Sequence, residues 1–238
     1  MEAVTNQDNP NEELIPAATV LLLRDSPNGP EALMLRRNSK VAFGGMWVFP
    51  GGKVDDEELI PGDPQESARV AAAREVEEET SLEVTGADFE TWSYWIPPLL
   101  SSMRGSHLKR FSTWFFVGRA PEGIDVAVDG GEIHEHRWML PADALAERDA
   151  GNIELVPPTW VTLWQVSKYR TVDEAISWAA ATEPEEFRTK AISHDPMTVA
   201  WAQDAGYESG DASVSGPRHR LVMDPTGWVY ERTDGQAT

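Results

Sequence analysis

Apolar and polar residues follow one another along this chain in blocks that predict strands around one alanine-rich helix. The apolar, β-branched run at 17–24 is typical of a buried strand. A Ser-Pro-Asn-Gly-Pro turn follows at 26–30, and 31–37 returns as a second strand. Further strands are predicted at 89–96, 109–117 and 132–139, and helices at 66–80 and 141–149. The pattern therefore predicts an α/β protein.

The pattern changes after Pro157-Pro158. Large apolar residues at helical spacing predict helices at 159–169 and 172–181, and strand character returns at 197–202 and at 220–231, around an Asp-Pro-Thr-Gly turn. The Gly- and Ser-rich acidic segment 204–216 is predicted to be a loose loop. We therefore divide the chain into a disordered acidic N-terminus (1–14), a main domain (15–156) and a C-terminal extension packed on that domain (157–238).

Composition narrows the function classes. The chain has 238 residues and a formal charge of −20, which repels nucleic-acid backbones and anionic membranes at long range. It contains no cysteine, so disulfides, zinc-thiolate sites and thiol catalysis are excluded. The N-terminal residues do not resemble a secretory signal, and no apolar run reaches transmembrane length. We therefore expect a cytoplasmic protein whose partner is a small molecule.

Candidate chemistry is concentrated in the hexapeptide Arg-Glu-Val-Glu-Glu-Glu at 74–79. On a helix, Glu78 and Glu79 lie about 60° behind and about 40° ahead of Glu75, whereas Glu77 points to the opposite side. Three carboxylates on one face repel one another unless a hard divalent cation lies among them, so the spacing predicts a Mg²⁺ or Mn²⁺ site. The alternative is an ordinary solvated acidic helix face.

The segment before this helix favours the metal site. A short apolar strand at 47–49 is interrupted by Pro50-Gly51-Gly52, which predicts a tight turn that exposes backbone amides. Arg74 lies one turn before Glu78 and is positioned to hold its carboxylate by an i,i+4 ion pair.

From Gly52 to Leu82 these residues resemble a Nudix box, the signature of the Nudix hydrolase superfamily. The family pattern is Gly, five residues, Glu, seven residues, Arg-Glu, an aliphatic residue, one residue, Glu-Glu, one residue, Gly and an aliphatic residue. Taking Glu66 as the first glutamate matches the later part of the pattern, with thirteen residues instead of five after Gly52. Ser81 replaces the usual glycine at a position where a helix ends in a left-handed residue, so either the serine costs about 1 kcal/mol there or the helix ends differently.

The resemblance implies an α/β/α sandwich with a mixed sheet, and a role for each matching residue. Glu75, Glu78 and Glu79 would bind Mg²⁺ or Mn²⁺, Arg74 would orient them, and Glu66 would support the loop or the helix start. We name Arg74, Glu75, Glu78 and Glu66 as catalytic candidates. A later carboxylate would come from Glu132 or Glu135, since strand alternation turns one of the two toward the site. The candidates for substrate contacts are Gly51, Gly52, Lys53, Arg37 and Arg110.

The likeness extends more weakly to the branch with an enlarged box loop that includes peroxisomal coenzyme A diphosphatase-like proteins. Val41 stands where the coenzyme A signature has an arginine. The implied activity is metal-dependent cleavage of a nucleoside diphosphate linked to another group, such as coenzyme A, acyl-coenzyme A, a dinucleotide or ADP-ribose. A Nudix-fold module that binds a nucleotide without hydrolysing it is the alternative. Many family members pair, so a homodimer is a further expectation.

Overall fold

The computed structural model describes residues 14–38, 45–98, 110–123, 125–128 and 131–233. The predictions for the N-terminus up to residue 13, for Val41 and for 99–109 lie outside these ranges. Of the described helices, none is long and apolar enough to cross a membrane.

The strands are β1 (Ile15–Ser26), β2 (Gly29–Arg37), β3 (Trp47–Val48), β4 (Gly51–Lys53), β5 (Glu90–Ile96), β6 (Phe111–Arg119), β7 (Ile133–Met139), β8 (Glu185–Arg188), β9 (Lys190–His194), β10 (Met197–Ala200), β11 (His219–Asp224) and β12 (Gly227–Arg232). The α-helices are α1 (Pro64–Thr80), α2 (Pro141–Asp149), α3 (Pro157–Val166) and α4 (Val172–Ala181).

The predicted α/β class and mixed sheet are confirmed. Strand β1 pairs antiparallel with β2 and β4 but parallel with β6. The strands β8 and β9 were not predicted, because only Phe187 and Ile192 are buried within them and their sequences carry little apolar alternation.

The chain forms two compact units, residues 1–94 with 111–185 and residues 95–110 with 186–238. Helices α3 and α4 cluster with the first unit, so the units divide at a different point from the boundary predicted at 157. That predicted boundary, and the packing of the extension on the main domain, stay predictions.

Helices lie on both faces of the first unit's sheet. On one face, Arg69 of α1 donates to the hydroxyl of Thr91, and its guanidinium stacks on the Phe116 ring. On the other face, the Trp92 indole donates to Gln165 of α3 and contacts the Trp178 ring of α4. Because neighbouring residues of a strand point to opposite faces, Thr91 and Trp92 place α1 and the α3–α4 pair on opposite sides. The alanine residues of α1 allow it to pack closely on the sheet residues Ala18, Val20, Leu22 and Phe116.

The second unit contains a four-stranded antiparallel sheet in the order β12-β11-β10-β9. Its aromatic core includes Trp95 stacked on Phe187, with Trp201 packed edge-on against both rings. A buried ion pair lies in this unit, where Arg220 donates to both oxygens of Asp204 at 2.7 and 2.6 Å. Burial would raise the pKa of Asp204, but hydrogen bonds from Arg220 and from the backbone amides of His219 and Gly206 outweigh it and lower the pKa to about 2.

Candidate active site

Helix α1 carries the acidic hexapeptide, and its two ends follow ordinary capping chemistry. The Asp63 side chain accepts the amide of Glu66 at the N-terminus, and Pro64 occupies the first turn, where its missing N–H is not needed. At the other end, Ser81 adopts the left-handed conformation (φ 58°) and its amide donates to the Glu77 carbonyl. The helix end predicted at Ser81 is therefore confirmed with serine in the position that favours glycine.

Arg74 organises the carboxylates around it. Its Nη1 donates to Glu75 at 2.9 Å and to Glu78 at 3.0 Å, and its Nη2 donates to the Lys53 carbonyl at 3.0 Å. The remaining edge of the guanidinium meets Glu58, with Nε to Oε1 at 2.7 Å and Nη2 to Oε2 at 3.2 Å. The carboxylate of Glu58, followed by that of Glu75, raises the pKa of Arg74, so the guanidinium stays charged and fixed.

Glu58, which the sequence analysis does not name, is the glutamate before α1 that contacts Arg74, and the catalytic role of Glu66 stays a prediction. The structure does not bring Glu66 to the cluster, because its exposed carboxylate pairs with Arg69 at 3.2 Å. Glu58 stands five residues after Gly52, which is the family spacing, and the extra residues then lie between Glu58 and Arg74. Counting forward from Gly52 instead of backward from Arg74 would have found it. The Glu58 side chain is only 10% exposed.

The different surroundings of Glu58 and Glu66 predict that replacement by glutamine has a larger effect at Glu58 than at Glu66. Glu58→Gln removes the charge of a bidentate, nearly buried ion pair, so we expect about 2 kcal/mol of lost stability and a reduced kcat through a less ordered Arg74. Glu66→Gln removes only a surface pair and should change stability by less than about 0.5 kcal/mol. Urea unfolding and steady-state kinetics of both variants measure this, and equal effects would contradict the placement.

Glu79 is buried beneath the Pro50-Gly51-Gly52 turn. The sequence predicts that this turn exposes backbone amides. In the structure, the Gly51 amide instead donates to Glu79 Oε2 at 2.9 Å. Burial raises the pKa of Glu79 to about 8, and repulsion from Glu75 and Glu132 adds to this despite the opposing hydrogen bond from the Gly51 amide and the charge of Arg37. A carboxylate this strongly disfavoured in its charged form is a natural partner for a cation.

Glu75 lies directly against Gly52. A Cβ atom at Gly52 would overlap the Glu75 carboxyl group, so any side chain at this position would displace that carboxyl group. Burial raises the pKa of Glu75, with the hydrogen bond from Arg74 opposing it and the charges of Glu78 and Glu132 adding to it. Close approach of the backbone thus fixes where this carboxylate lies.

Gly52→Ala is therefore expected to impair activity more than stability. The methyl group forces the Glu75 carboxyl group to move, and a displacement of about 1 Å in a catalytic group can lower kcat by about 10²-fold. Gly51→Ala should in addition lower the melting temperature, since its Cβ would meet the backbone of Ala18 and Thr19. Paired kinetics and thermal melts measure both, and an alanine at 52 with unchanged kcat would contradict the close contact.

Of the two later carboxylates, the structure brings Glu132 to the cluster. Glu132 lies close enough to raise the pKa values of both Glu75 and Glu79. It accepts Arg37 Nη2 at 2.8 Å, which places Arg37 in the same group. Glu135 instead pairs with Arg36 and Arg137, and hydrogen bonds from Arg137 lower its pKa.

The side chains of the other two proposed substrate contacts, Lys53 and Arg110, have partners of their own. The Lys53 amine is half exposed and faces Asp55 at 3.6 Å, although its backbone carbonyl holds Arg74. Arg110 belongs to the second compact unit, where it is buried and donates to the Pro97 carbonyl at 2.6 Å.

The carboxylate oxygens of Glu75, Glu78 and Glu79 suit a hard divalent cation, but the three side chains do not form a closed ligand shell. Glu75, Glu78 and Glu79 offer only carboxylate oxygens, and each engages one of its oxygens with other described residues. Within the ranges that the structure describes, no three acidic or histidine side chains surround a common point. Arg74 holds Glu75 and Glu78, so an ion requires Glu78, whose side chain is 59% exposed, to turn.

Comparison with known proteins identifies the family of this chain. The NUDIX domain family model matches residues 13–158, more than half of the chain. A segment of 83 residues is 28% identical to the acyl-coenzyme A diphosphatase NUDT19 of Xenopus laevis, covering 35% of this chain and only 21% of that protein. A Caenorhabditis elegans protein assigned to the nudix hydrolases is 23% identical over 84% of this chain and 79% of its own length. In fold, the NUDIX hydrolase of Alicyclobacillus acidocaldarius superposes with a TM-score of 0.60 at 20% identity, over 70% of this chain and 97% of its own. The chain therefore belongs to the Nudix hydrolase superfamily.

Proposed function

We propose that this protein is a divalent-metal-dependent pyrophosphohydrolase that cleaves a nucleoside diphosphate linked to a second group. The observation that carries the proposal is the clustering of Glu75 and Glu79 with Glu132 nearby, because burial and neighbouring negative charges raise the pKa values of Glu75 and Glu79. Such a cluster is costly in an apoprotein and becomes favourable once a cation neutralises it.

In this proposal Glu75, Glu78 and Glu79 hold Mg²⁺ or Mn²⁺. The bound ion would offset phosphate charge, polarise phosphorus and lower the pKa of water. Arg74 positions Glu75 and Glu78, and Glu58 keeps Arg74 in place. Glu132 is the general-base candidate, taking a proton from the water that attacks one phosphorus while the phosphate-ended fragment leaves.

The diphosphate is proposed to bind beside the Gly51-Gly52 turn. Gly52 lies directly against the Glu75 carboxyl group, so a ligand beside this turn would lie next to a proposed metal ligand. Arg37 is the proposed phosphate contact, since it lies beside Glu132 and within the field of Glu79. We propose a small nucleotide derivative as the ligand. Because the chain has a net charge of −20, it needs the metal and local cations to bind any anion.

The substrate is proposed to be of the coenzyme A, acyl-coenzyme A, dinucleotide or ADP-ribose type. The named activity of the frog relative supports including acyl-coenzyme A, although the matched segment is a small part of that protein. The second candidate function, a nucleotide-binding module without hydrolysis, is disfavoured because all three box carboxylates of the helix are present.

The test is hydrolysis of a panel of diphosphates with Mg²⁺ or Mn²⁺, with products identified by mass. The panel contains coenzyme A, acyl-coenzyme A, NADH, ADP-ribose, diadenosine polyphosphates and nucleoside triphosphates. Preferential cleavage of one compound is expected, and product masses identify the broken bond. Folded protein that cleaves none with either metal would overturn the hydrolase and favour the binding module, which ligand-induced thermal shifts then test.

A further inference from the structure

The Arg37–Glu132 ion pair differs from its neighbour, the Arg36–Glu135 pair, in what surrounds it. Arg37 lies at the end of β2, where its amide donates to the Met46 carbonyl at 3.1 Å and its carbonyl accepts the Gly45 amide at 2.9 Å. Its side chain is 20% exposed, whereas that of Glu132 is 61% exposed. The cation is thus anchored and largely covered, while its partner carboxylate extends into solvent.

The guanidinium of Arg37 is incompletely bonded. Its Nη2 donates to Glu132 Oε2 at 2.8 Å, but its Nε is buried and meets no hydrogen-bond acceptor among the described residues. A buried donor without an acceptor is unfavourable, and a guanidinium is best satisfied by a planar or tetrahedral oxyanion that takes two N–H groups together. Glu132 accepts a hydrogen bond from only one nitrogen of the guanidinium, so it does not take two N–H groups together.

Glu132 also adds negative charge to the acidic cluster. Its charge raises the pKa values of Glu75 and Glu79, so it adds to the repulsion within the acidic cluster. A one-nitrogen ion pair with a mostly exposed carboxylate contributes little free energy. A phosphate group that binds Arg37 through Nε and an Nη atom therefore competes with a weak internal partner.

We infer that Arg37 and Glu132 form an exchangeable ion pair, in which a phosphate group of the ligand displaces Glu132 from Arg37 and releases its carboxylate for work at the cluster. This inference rests on the proposed function for the identity of the ligand. Glu132 acts as an internal competitor for the anion site in the free protein. The ligand itself then makes the carboxylate available, which ties release of the base to the presence of substrate.

The experiment is titration of the full chain with inorganic pyrophosphate in the presence of a chelator, followed by calorimetry, so that neither metal nor turnover contributes. Glu132→Gln is expected to tighten binding roughly threefold, because it removes the competitor. Arg37→Gln is expected to weaken binding about tenfold or more. Arg37→Lys should give an affinity between those of the parent and Arg37→Gln, because lysine keeps the charge but not the paired N–H groups.

Neighbouring residues provide matched controls for charge. Glu135→Gln and Arg36→Gln change the net charge by the same amounts and lie close by in sequence, but neither residue is among those that shift the pKa values of Glu75 and Glu79. They should change pyrophosphate affinity less than the Glu132 and Arg37 variants. In an Arg37→Gln background, Glu132→Gln should give no more gain than Glu135→Gln does.

Three results would overturn the inference. These are equal tightening by Glu132→Gln and Glu135→Gln, full retention of the Glu132→Gln gain in the Arg37→Gln background, and no pyrophosphate binding by Glu132→Gln at millimolar concentration. Each is separate from the hydrolysis panel. If the protein cleaves a diphosphate but the titration gives one of these three results, the proposed function stands and only the ion-pair exchange is wrong. If the titration gives the expected affinities but the protein cleaves no diphosphate, the exchange stands and the proposed hydrolysis is wrong.

Discussion

Glu78→Gln is expected to lower kcat by at least about 10²-fold while the protein stays folded. The substitution conserves volume but removes one ligand charge from the acidic face, and the metal's stabilisation of developing charge amounts to several kcal/mol. Stability should change little, because the Glu78 side chain is 59% exposed and its pairing with Arg74 is one of several that Arg74 makes. Steady-state kinetics with saturating Mg²⁺, alongside a urea unfolding curve, measure both quantities.

Glu77→Gln is the matched control for this experiment. It makes the same chemical change one residue earlier on the same helix, where the side chain is exposed and points away from the cluster. Its kcat should remain within about a factor of two of the parent. Turnover by Glu78→Gln within a factor of two of the parent would remove Glu78 from the metal site, and a similar loss in both variants would indicate an effect of helix charge rather than of ligation.

Asp204→Ala is expected to lower the free energy of unfolding by about 3–5 kcal/mol. The Asp204 side chain has no exposed surface and Arg220 is 6% exposed, so truncation leaves a buried guanidinium without its counter-ion. The backbone amides of Gly206 and His219 lose their acceptor at the same time. Urea denaturation monitored by tryptophan fluorescence is a suitable measurement, because Trp201 packs against His219 in this unit.

The surface pair Lys190–Glu208 tests whether burial causes that effect. It joins opposite charges in the same unit at 3.5 Å, but the Glu208 side chain is 87% exposed. Glu208→Ala should therefore change stability by less than about 0.5 kcal/mol. A loss below about 1 kcal/mol for Asp204→Ala would show that the ion pair is not the anchor that its geometry indicates.

Much of helix α1 could be predicted from local sequence. The helical angle between Glu75, Glu78 and Glu79 follows from their spacing alone, as does the exclusion of Glu77. The left-handed end at Ser81 also follows from the motif, and the structure confirms it. These are short-range properties, fixed by rotation per residue and by the hydrogen bonds that a helix end leaves unused.

Long-range partners could not be predicted in the same way. Glu58 and Glu66 are both glutamates upstream of Arg74, and the choice between them depends on how the enlarged loop folds over the start of α1. The choice between Glu132 and Glu135 depends on a register shift between Arg36 and Arg37 in the β2–β7 pairing. Strand alternation restricts one of them to the site, but it does not indicate which.

The sequence by itself determined the superfamily, the α/β class and the acidic face of α1, because each depends on composition, periodicity or the spacing of a short motif. Only the tertiary structure decided that Glu58 anchors Arg74, that Gly52 accommodates Glu75 and that Arg37 meets Glu132. Those contacts join residues far apart in the chain, and they form only when β2, β4 and α1 pack together. Burial then shifts the pKa values of Glu75 and Glu79, a property that no residue carries until its neighbours exclude water.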